Sequence, residues 1–488
     1  MRQPLEMESF EVEGTPVERV RLRDPRTYGA QFLLLHGYAA NRRQLLHLAE
    51  VLAAAGGDVY VVDLPGRGDN NGVASPSPLE GPQPDMPTPN ETRAALAVFH
   101  HLENEQGVDR NRLVVVGHSL GGGVALDVAR RELPAATVSL AGLERPVQPG
   151  RPRNLLLITA RLEIPPLRQA ADAMYARAGR GSAARREFLA THSTLPYSSG
   201  VQQAIVEWTN RAVPRSRLAI PQWLNEKFLA LELAAVFFLT ALFFPLAGVA
   251  AWWLAQEPLG EVVSESRLSS WSPLHIGGYA LLAGLAVVSA LSLLDWLGRP
   301  VPLRFLHLAD GDYLASVMLL STLWLLPVLQ QPPWVRDWKE VRASILVAVG
   351  LAAHVIILVG GFVTWQIFDL WPTTGRWVRF LPLLALLFPY ALGEELLRRT
   401  FSKYRDRSPL TAFLLWRLAL LGSIAYGAFL LHSGQGMILV HALPLFLLSF
   451  IEYYFAETLY CALHSAYACA MLKTLLLAWF FAAFFPLR

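Results

Sequence analysis

Apolar positions along the chain follow two different rhythms. Between Gln31 and Ala160, short aliphatic and β-branched runs (QFLLLHG, DVYVVDLPG, RLVVVGHS) alternate with longer stretches of helical periodicity (RRQLLHLAEVLAAAG, NETRAALAVFHHLENEQ, LGGGVALDVARREL). Buried strands alternating with amphipathic helices predict a mostly parallel sheet covered by helices on both faces. Two further runs, ATVSLAG and NLLLITA, extend that sheet. From Phe228 onward the rhythm changes to long apolar stretches, at 228–254, 276–297, 313–330, 344–370, 378–397, 410–431, 436–456 and 466–486. Each is near the roughly 20 residues that a helix needs to cross a hydrocarbon core. The pattern therefore predicts residues 1–215 as a water-soluble α/β domain, 216–227 as a basic, proline-marked linker, and 228–488 as an all-α polytopic membrane domain of about eight helices.

Composition sharpens this division. The 53% of hydrophobic residues is an average over two unlike halves, and 488 residues exceed what one compact core would hold. A formal net charge of +3 gives no reason to expect nucleic acid as a partner; the basic residues lie in the soluble half or between apolar segments, where lipid headgroups would meet them. The cysteines, Cys461 and Cys469, both fall in the apolar half, so no disulfide framework supports the soluble domain. The start, MRQPLEMESFEVEG, has no basic, apolar secretory signal. Together these features lead us to expect a multi-pass protein of a bacterial inner membrane with its soluble domain in the cytoplasm.

Loop and charge patterns add two expectations. Residues 69–90, rich in Pro, Gly, Asn and Ser, read either as a long surface loop shaping access to the sheet's carboxyl edge or as a disordered stretch. The basic flank Arg211, Arg215, Arg217 and Lys227 and the basic loop Arg398, Arg399, Lys403, Arg405 and Arg407 should both be cytoplasmic. Five segments lie between them where only an even number fits, so one is miscounted or re-entrant, and the short 313–330 run is the first suspect.

The candidate chemistry centres on Gly117-His118-Ser119-Leu120-Gly121, a G-x-S-x-G between the strand RLVVV and the helix-like GGGVALDVARREL. A serine in a sharp strand-to-helix turn stands out above the sheet, and glycines flank it because side chains there would strike backbone. Its hydroxyl needs a base, and in this architecture the histidine follows both the serine and an acid along the chain. His192, ahead of a polar turn and a final amphipathic helix, satisfies that order; His47, His100 and His101 lie in covering helices, and His36 and His118 belong to loop motifs. The orienting carboxylate should lie just past NLLLITA, which favours Glu163, with Glu144 after ATVSLAG as the rival. Oxyanion donors would be the backbone N–H groups of Leu120, after the nucleophile, and of Tyr38, after the strand-end pair His36-Gly37.

The succession LLLHGY, DVYVVDLPGRGDN, VVVGHSLGG, LLLITARLEIPP and ATHSTLP is similar in order and spacing to the α/β-hydrolase superfamily, over about residues 28–215. The resemblance implies an acyl-serine intermediate, with no metal or organic cofactor. Glu163 stands where the superfamily more often has Asp, and only Leu143 to Arg153 separate the sixth and seventh strands, where many relatives insert a helical lid. Joined to a membrane domain, such an enzyme would be an esterase or lipase-like serine hydrolase acting on an acyl ester, lipid-like substrates included.

The membrane half carries a second pattern. Glu394-Glu395-Leu396-Leu397-Arg398-Arg399 fits EExxxR, with His432 and His464 on later segments, and resembles the CAAX-processing and bacteriocin-processing intramembrane proteases. The resemblance implies that these glutamates and histidines activate a water within the bilayer. Phe429 stands three rather than four residues before His432, and Ala468 replaces the usual Asn. The alternative reading is a charge cluster at headgroup level. A transporter or channel carrying a hydrolase-like regulatory domain is the third possibility, since eight helices exceed what anchoring needs.

Overall fold

The computed structural model describes residues 5–23, 29–38, 40–75, 89–163, 165–179, 181–221 and 224 of the N-terminal half. In the C-terminal half it describes 306–308, 311, 314–316, 318–319, 322, 338–360, 371–372, 374–402, 417–418, 422, 436–485 and 487. The chain divides into two compact units, one made of 1–234 with 363–369 and 486–488, the other of 235–362 and 370–485.

The first unit is built on one eight-stranded sheet. Its strands are β1 (Leu5–Val12), β2 (Thr15–Leu22), β3 (Gln31–Leu35), β4 (Asp58–Val62), β5 (Leu113–His118), β6 (Ala136–Leu140), β7 (Leu155–Leu162) and β8 (Ala183–Thr191). They lie in the order β1-β2-β4-β3-β5-β6-β7-β8. β1 pairs antiparallel with β2 and β2 with β4, while every pair from β4-β3 to β7-β8 is parallel. β3, β4, β5 and β6 read as near-continuous apolar runs because both their faces are covered.

Five helices supply that cover: α1 (Arg43–Ala54), α2 (Asn90–Asn104), α3 (Leu120–Glu132), α4 (Pro165–Ala178) and α5 (Ser199–Ala212). On one face, Leu45, Leu48 and Leu52 of α1 and Val201, Ile205 and Val206 of α5 pack with Phe32, Val61, Val114 and Val138 of the strands. On the other, Leu126 of α3 and Met174 and Ala178 of α4 pack against Leu155 and Leu157 of β7. A buried side chain of this size contributes about 1.5–3 kcal/mol by leaving water, so the two layers set the sheet rigidly beneath its loops.

The elements read from the periodic runs are present, and the sequence reading missed β1, β2, β8 and α4. β1 mixes Glu and Ser among its apolar positions, LEMESFEV, and β8 carries Arg-Arg-Glu, so neither shows the alternation of a half-buried strand. Both are the outer strands of the sheet, where charged side chains protect the open edge from pairing with other chains.

In the second unit the long described helices are α6 (Trp338–Val355), continued by a π-turn over Ile356–Gly360, α7 (Phe380–Ser402), α8 (Gly436–Leu463) and α9 (Ala466–Phe484). Among the described residues three stretches, Val341–Gly360, Gly375–Leu396 and Ala466–Phe484, are long and apolar enough to cross a membrane. The expected segments 228–254 and 276–297 lie outside the described residues, and 313–330 and 410–431 lie mostly outside them.

Candidate active site

The tip of β5 turns directly into α3, and Ser119 sits in the turn at φ 55°, ψ −115°. This is backbone that a residue with a side chain adopts only under constraint. The constraint is close packing. A Cβ on Gly117 would lie 2.0 Å from the Gly121 carbonyl oxygen, and one on Gly121 would lie 2.1 Å from that of Leu35. Both contacts are shorter than any non-bonded approach between such atoms, so glycine at each position lets the turn close. The Ser119 N–H donates to the Leu140 carbonyl at 2.8 Å, tying the turn to the end of β6. Leu120 is the first residue of α3, where an N–H has no acceptor inside the helix.

The loop after β3 lies against this turn. A Cβ on Gly37 would stand 3.4 Å from Ser119 Cβ and 3.2 Å from His118 Nδ1, so the segment His36-Gly37-Tyr38 passes beside the serine. His36 Nε2 accepts from the Leu64 N–H at 2.9 Å. That leaves the ring proton on Nδ1, 2.8 Å from the Gly37 carbonyl oxygen, to which it donates. Burial, and secondly the nearby Arg67, push the His36 pKa down to about 3, so the ring stays neutral and the tautomer holds.

His192 follows β8 and is brought to the same carboxyl edge of the sheet. Its Nδ1 lies 2.8 Å from Glu163 Oε2, just beyond β7, with the imidazole 28% exposed and the carboxylate 1%. Its carbonyl oxygen accepts from His118 Nε2 at 2.9 Å, and the two imidazole rings are 4.9 Å apart. Burial, then the neighbouring His192, push His118 down to about 3, so it serves as a neutral donor. The rival carboxylate, Glu144, is half-exposed and accepts from Arg177 at 2.7 Å, away from His192. Of the two acids the sequence left open, Glu163 is the one bonded to the histidine.

The sequence reading gave His118 no role beyond filling its motif and did not consider Arg67. Arg67 is 2% exposed and donates from Nε to the Tyr38 carbonyl at 2.7 Å.

The acidic pair of the second unit has a different setting. Glu394 Oε1 lies 3.1 Å from Arg417 Nη2 and 3.4 Å from Lys473 Nζ. Glu395 accepts from Arg398 at 2.6 Å and lies 3.0 Å from Lys473 Nζ, and Arg398 also pairs with Glu457. Glu452 Oε2 is 3.6 Å from Arg417 Nη2. Glu394 and Glu395 are almost wholly enclosed by protein, 3% and 0% exposed, and engaged by cations. His464 is exposed, with its ring beside Tyr460. His432 lies outside the described residues. Among the described residues no three His, Cys, Asp or Glu side chains form a group that could hold a metal ion.

The sheet order and the serine turn define the first unit as an α/β-hydrolase fold. Residues 28–165 match the family described as serine aminopeptidase, S33 (Hydrolase_4). Among solved structures, an esterase/lipase from an uncultured bacterium is 17% identical, over 43% of this chain and 84% of its own, with a TM-score of 0.33. TT1662 from Thermus thermophilus is 20% identical over 42% and 98%, also at 0.33, and an esterase from Pyrobaculum calidifontis 16% identical over 44% and 87%, at 0.34. No curated protein gives a significant match.

Proposed function

We propose that the chain is a membrane-anchored serine hydrolase that cleaves an acyl ester through an acyl-enzyme formed on Ser119. The observation that carries this reading is the 2.8 Å bond from His192 to the buried Glu163, at the sheet edge where Ser119 is held in its strained turn.

In this reading Ser119 Oγ attacks the acyl carbonyl while His192 Nε2 takes its proton. Glu163 accepts from Nδ1–H, which leaves the lone pair on Nε2 to take the serine proton and compensates the imidazolium that forms. The negative charge on the former carbonyl oxygen is met by the N–H groups of Leu120 and Tyr38. Collapse breaks the ester C–O bond, and the leaving alcohol takes the proton from His192. Water then attacks the acyl-serine, giving its proton to the same imidazole, and the carboxylic acid leaves as Ser119 regains its hydrogen. Every proton is carried by the chain's own residues.

On the substrate side the reading favours lipid esters and other amphiphilic acyl compounds. It is supported by three described helices that are long and apolar enough to cross a membrane. The test uses the full chain in detergent with a fluorophosphonate probe and p-nitrophenyl butyrate. Probe should attach at Ser119, and Ser119→Ala should abolish both labelling and hydrolysis. His192→Ala and Glu163→Gln should lower kcat by roughly 10²–10⁴-fold, the usual contribution of a base and its orienting group. Full esterase activity in Ser119→Ala would sink the assignment.

A further inference from the structure

The peptide between Gly37 and Tyr38 is the one whose N–H the proposed reaction aims at the developing oxyanion, and it is held through its own carbonyl and through the carbonyl of the next peptide. On one side the neutral His36 donates to the Gly37 carbonyl at 2.8 Å. On the other, the Arg67 guanidinium donates from Nε to the Tyr38 carbonyl at 2.7 Å and lies over the Tyr38 ring, 4.8 Å from its centroid. Arg67 itself has little freedom to move. Its Nη1 donates to the Pro65 carbonyl at 2.7 Å and to Glu91 Oε1 at 3.2 Å, and both side chains of that ion pair are at most 3% exposed.

Such a charge is costly to bury unless its partners are fixed, and Glu91 is fixed. It accepts from the Ser75 N–H at 3.0 Å and from the Ser75 hydroxyl, which in turn accepts from the Asn90 N–H at 2.8 Å. Ser75 and Asn90 bracket the Pro-rich stretch between them, so one guanidinium joins the two ends of that stretch to the backbone beside the serine. A planar fork with donors in two directions can hold a carbonyl and a carboxylate together, whereas an ammonium on a flexible stem would satisfy one at the expense of the other.

We propose that Arg67 is a positioning residue for the oxyanion-binding peptide, holding the Tyr38 backbone in register with Ser119 through its bond to the Tyr38 carbonyl. The inference rests on the serine hydrolase reading above. A role in positioning a transition-state donor acts on kcat, because the contact it preserves strengthens only as the oxyanion forms.

The experiment compares wild type with Arg67→Lys, which keeps the charge beside Glu91, and with the doubly neutral Arg67→Gln/Glu91→Gln, which leaves no buried charge unpaired. Each is measured as the full chain in detergent, for the rate of fluorophosphonate labelling at Ser119 and for kcat and KM on p-nitrophenyl butyrate; thermal melting reports folding. Both variants should lose about tenfold to a hundredfold in labelling rate and in kcat, the scale of a misplaced catalytic group, with KM within about twofold of wild type. Wild-type labelling and kcat in either folded variant would overturn the inference, as would a loss confined to KM. If wild type itself is not labelled at Ser119, the serine hydrolase reading fails instead, and the two failures are distinguishable.

Discussion

At Ser119 the chain accepts a φ of 55° that costs on the order of 1–3 kcal/mol, and the surrounding glycines and the bond to Leu140 hold it there. The same economy of contacts governs the buried imidazoles. His36 and His118 are held at about 3 by burial, where an unfolded chain would hold them near 6.5. As the pH falls below 6.5 the unfolded chain takes up protons that the fold refuses, so each histidine removes up to about 1.4 kcal/mol of stability per pH unit until about pH 3. Asp63 works the other way. Burial, partly offset by Arg42, raises it to about 6 from 3.8, so its contribution is full below 3.8 and lost as the pH rises through 6. Two rising slopes outweigh one falling slope, and the first unit should lose melting temperature from pH 6.5 to pH 5. His118→Gln, which keeps an amide donor for the His192 carbonyl, should flatten that decline; a decline as steep as that of wild type would show that His118 does not carry it. The serine was legible from its motif, and His192 and Glu163 from their order along the chain. The bond from His118 to His192 spans 74 residues and leaves no trace in local spacing.

Elements were legible in proportion to how fully they are buried. β3, β4 and β5 are apolar on both faces and announce themselves, whereas the outer strands β1 and β8 carry charge because they face water and must resist further pairing. In the second unit, α7 and α9 are joined by charge as well as by apolar packing. Lys473 of α9 is 1% exposed and lies between Glu394 and Glu395 of α7. Lys473→Met should therefore lower stability by about 3–5 kcal/mol, the cost of removing one partner from a buried pair. Thermal melting of the purified full chain measures this directly, and an unchanged melting temperature would show that Arg398 and Arg417 alone suffice for the two carboxylates. EExxxR identified the acids and one arginine. Lys473, from a helix some 79 positions away, was invisible to that pattern.

The whole molecule combines an α/β-hydrolase unit and a helical unit in one chain. If the apolar stretches Val341–Gly360, Gly375–Leu396 and Ala466–Phe484 cross a bilayer, the full chain should sediment with membranes, resist extraction by alkaline carbonate and dissolve only in detergent. Recovery of full-length protein in the carbonate supernatant would remove the anchoring and, with it, the argument for amphiphilic substrates. The acidic pair bears on the alternative activity. Glu394 and Glu395 are engaged by Arg417, Arg398 and Lys473, so activating a water there would require these ion pairs to open.

Periodicity alone determined that this chain holds a layered α/β unit followed by long apolar helices, because burial on two faces, on one face or in lipid each imposes its own spacing of apolar residues. Motif order likewise singled out a serine, a histidine and an acid as candidates for one site. Only the tertiary structure decided that Glu163 rather than Glu144 meets His192, and that Arg67 clasps the Tyr38 carbonyl. Those partners come from separate strands and loops, and contact between them depends on how the layers pack, which no local pattern encodes.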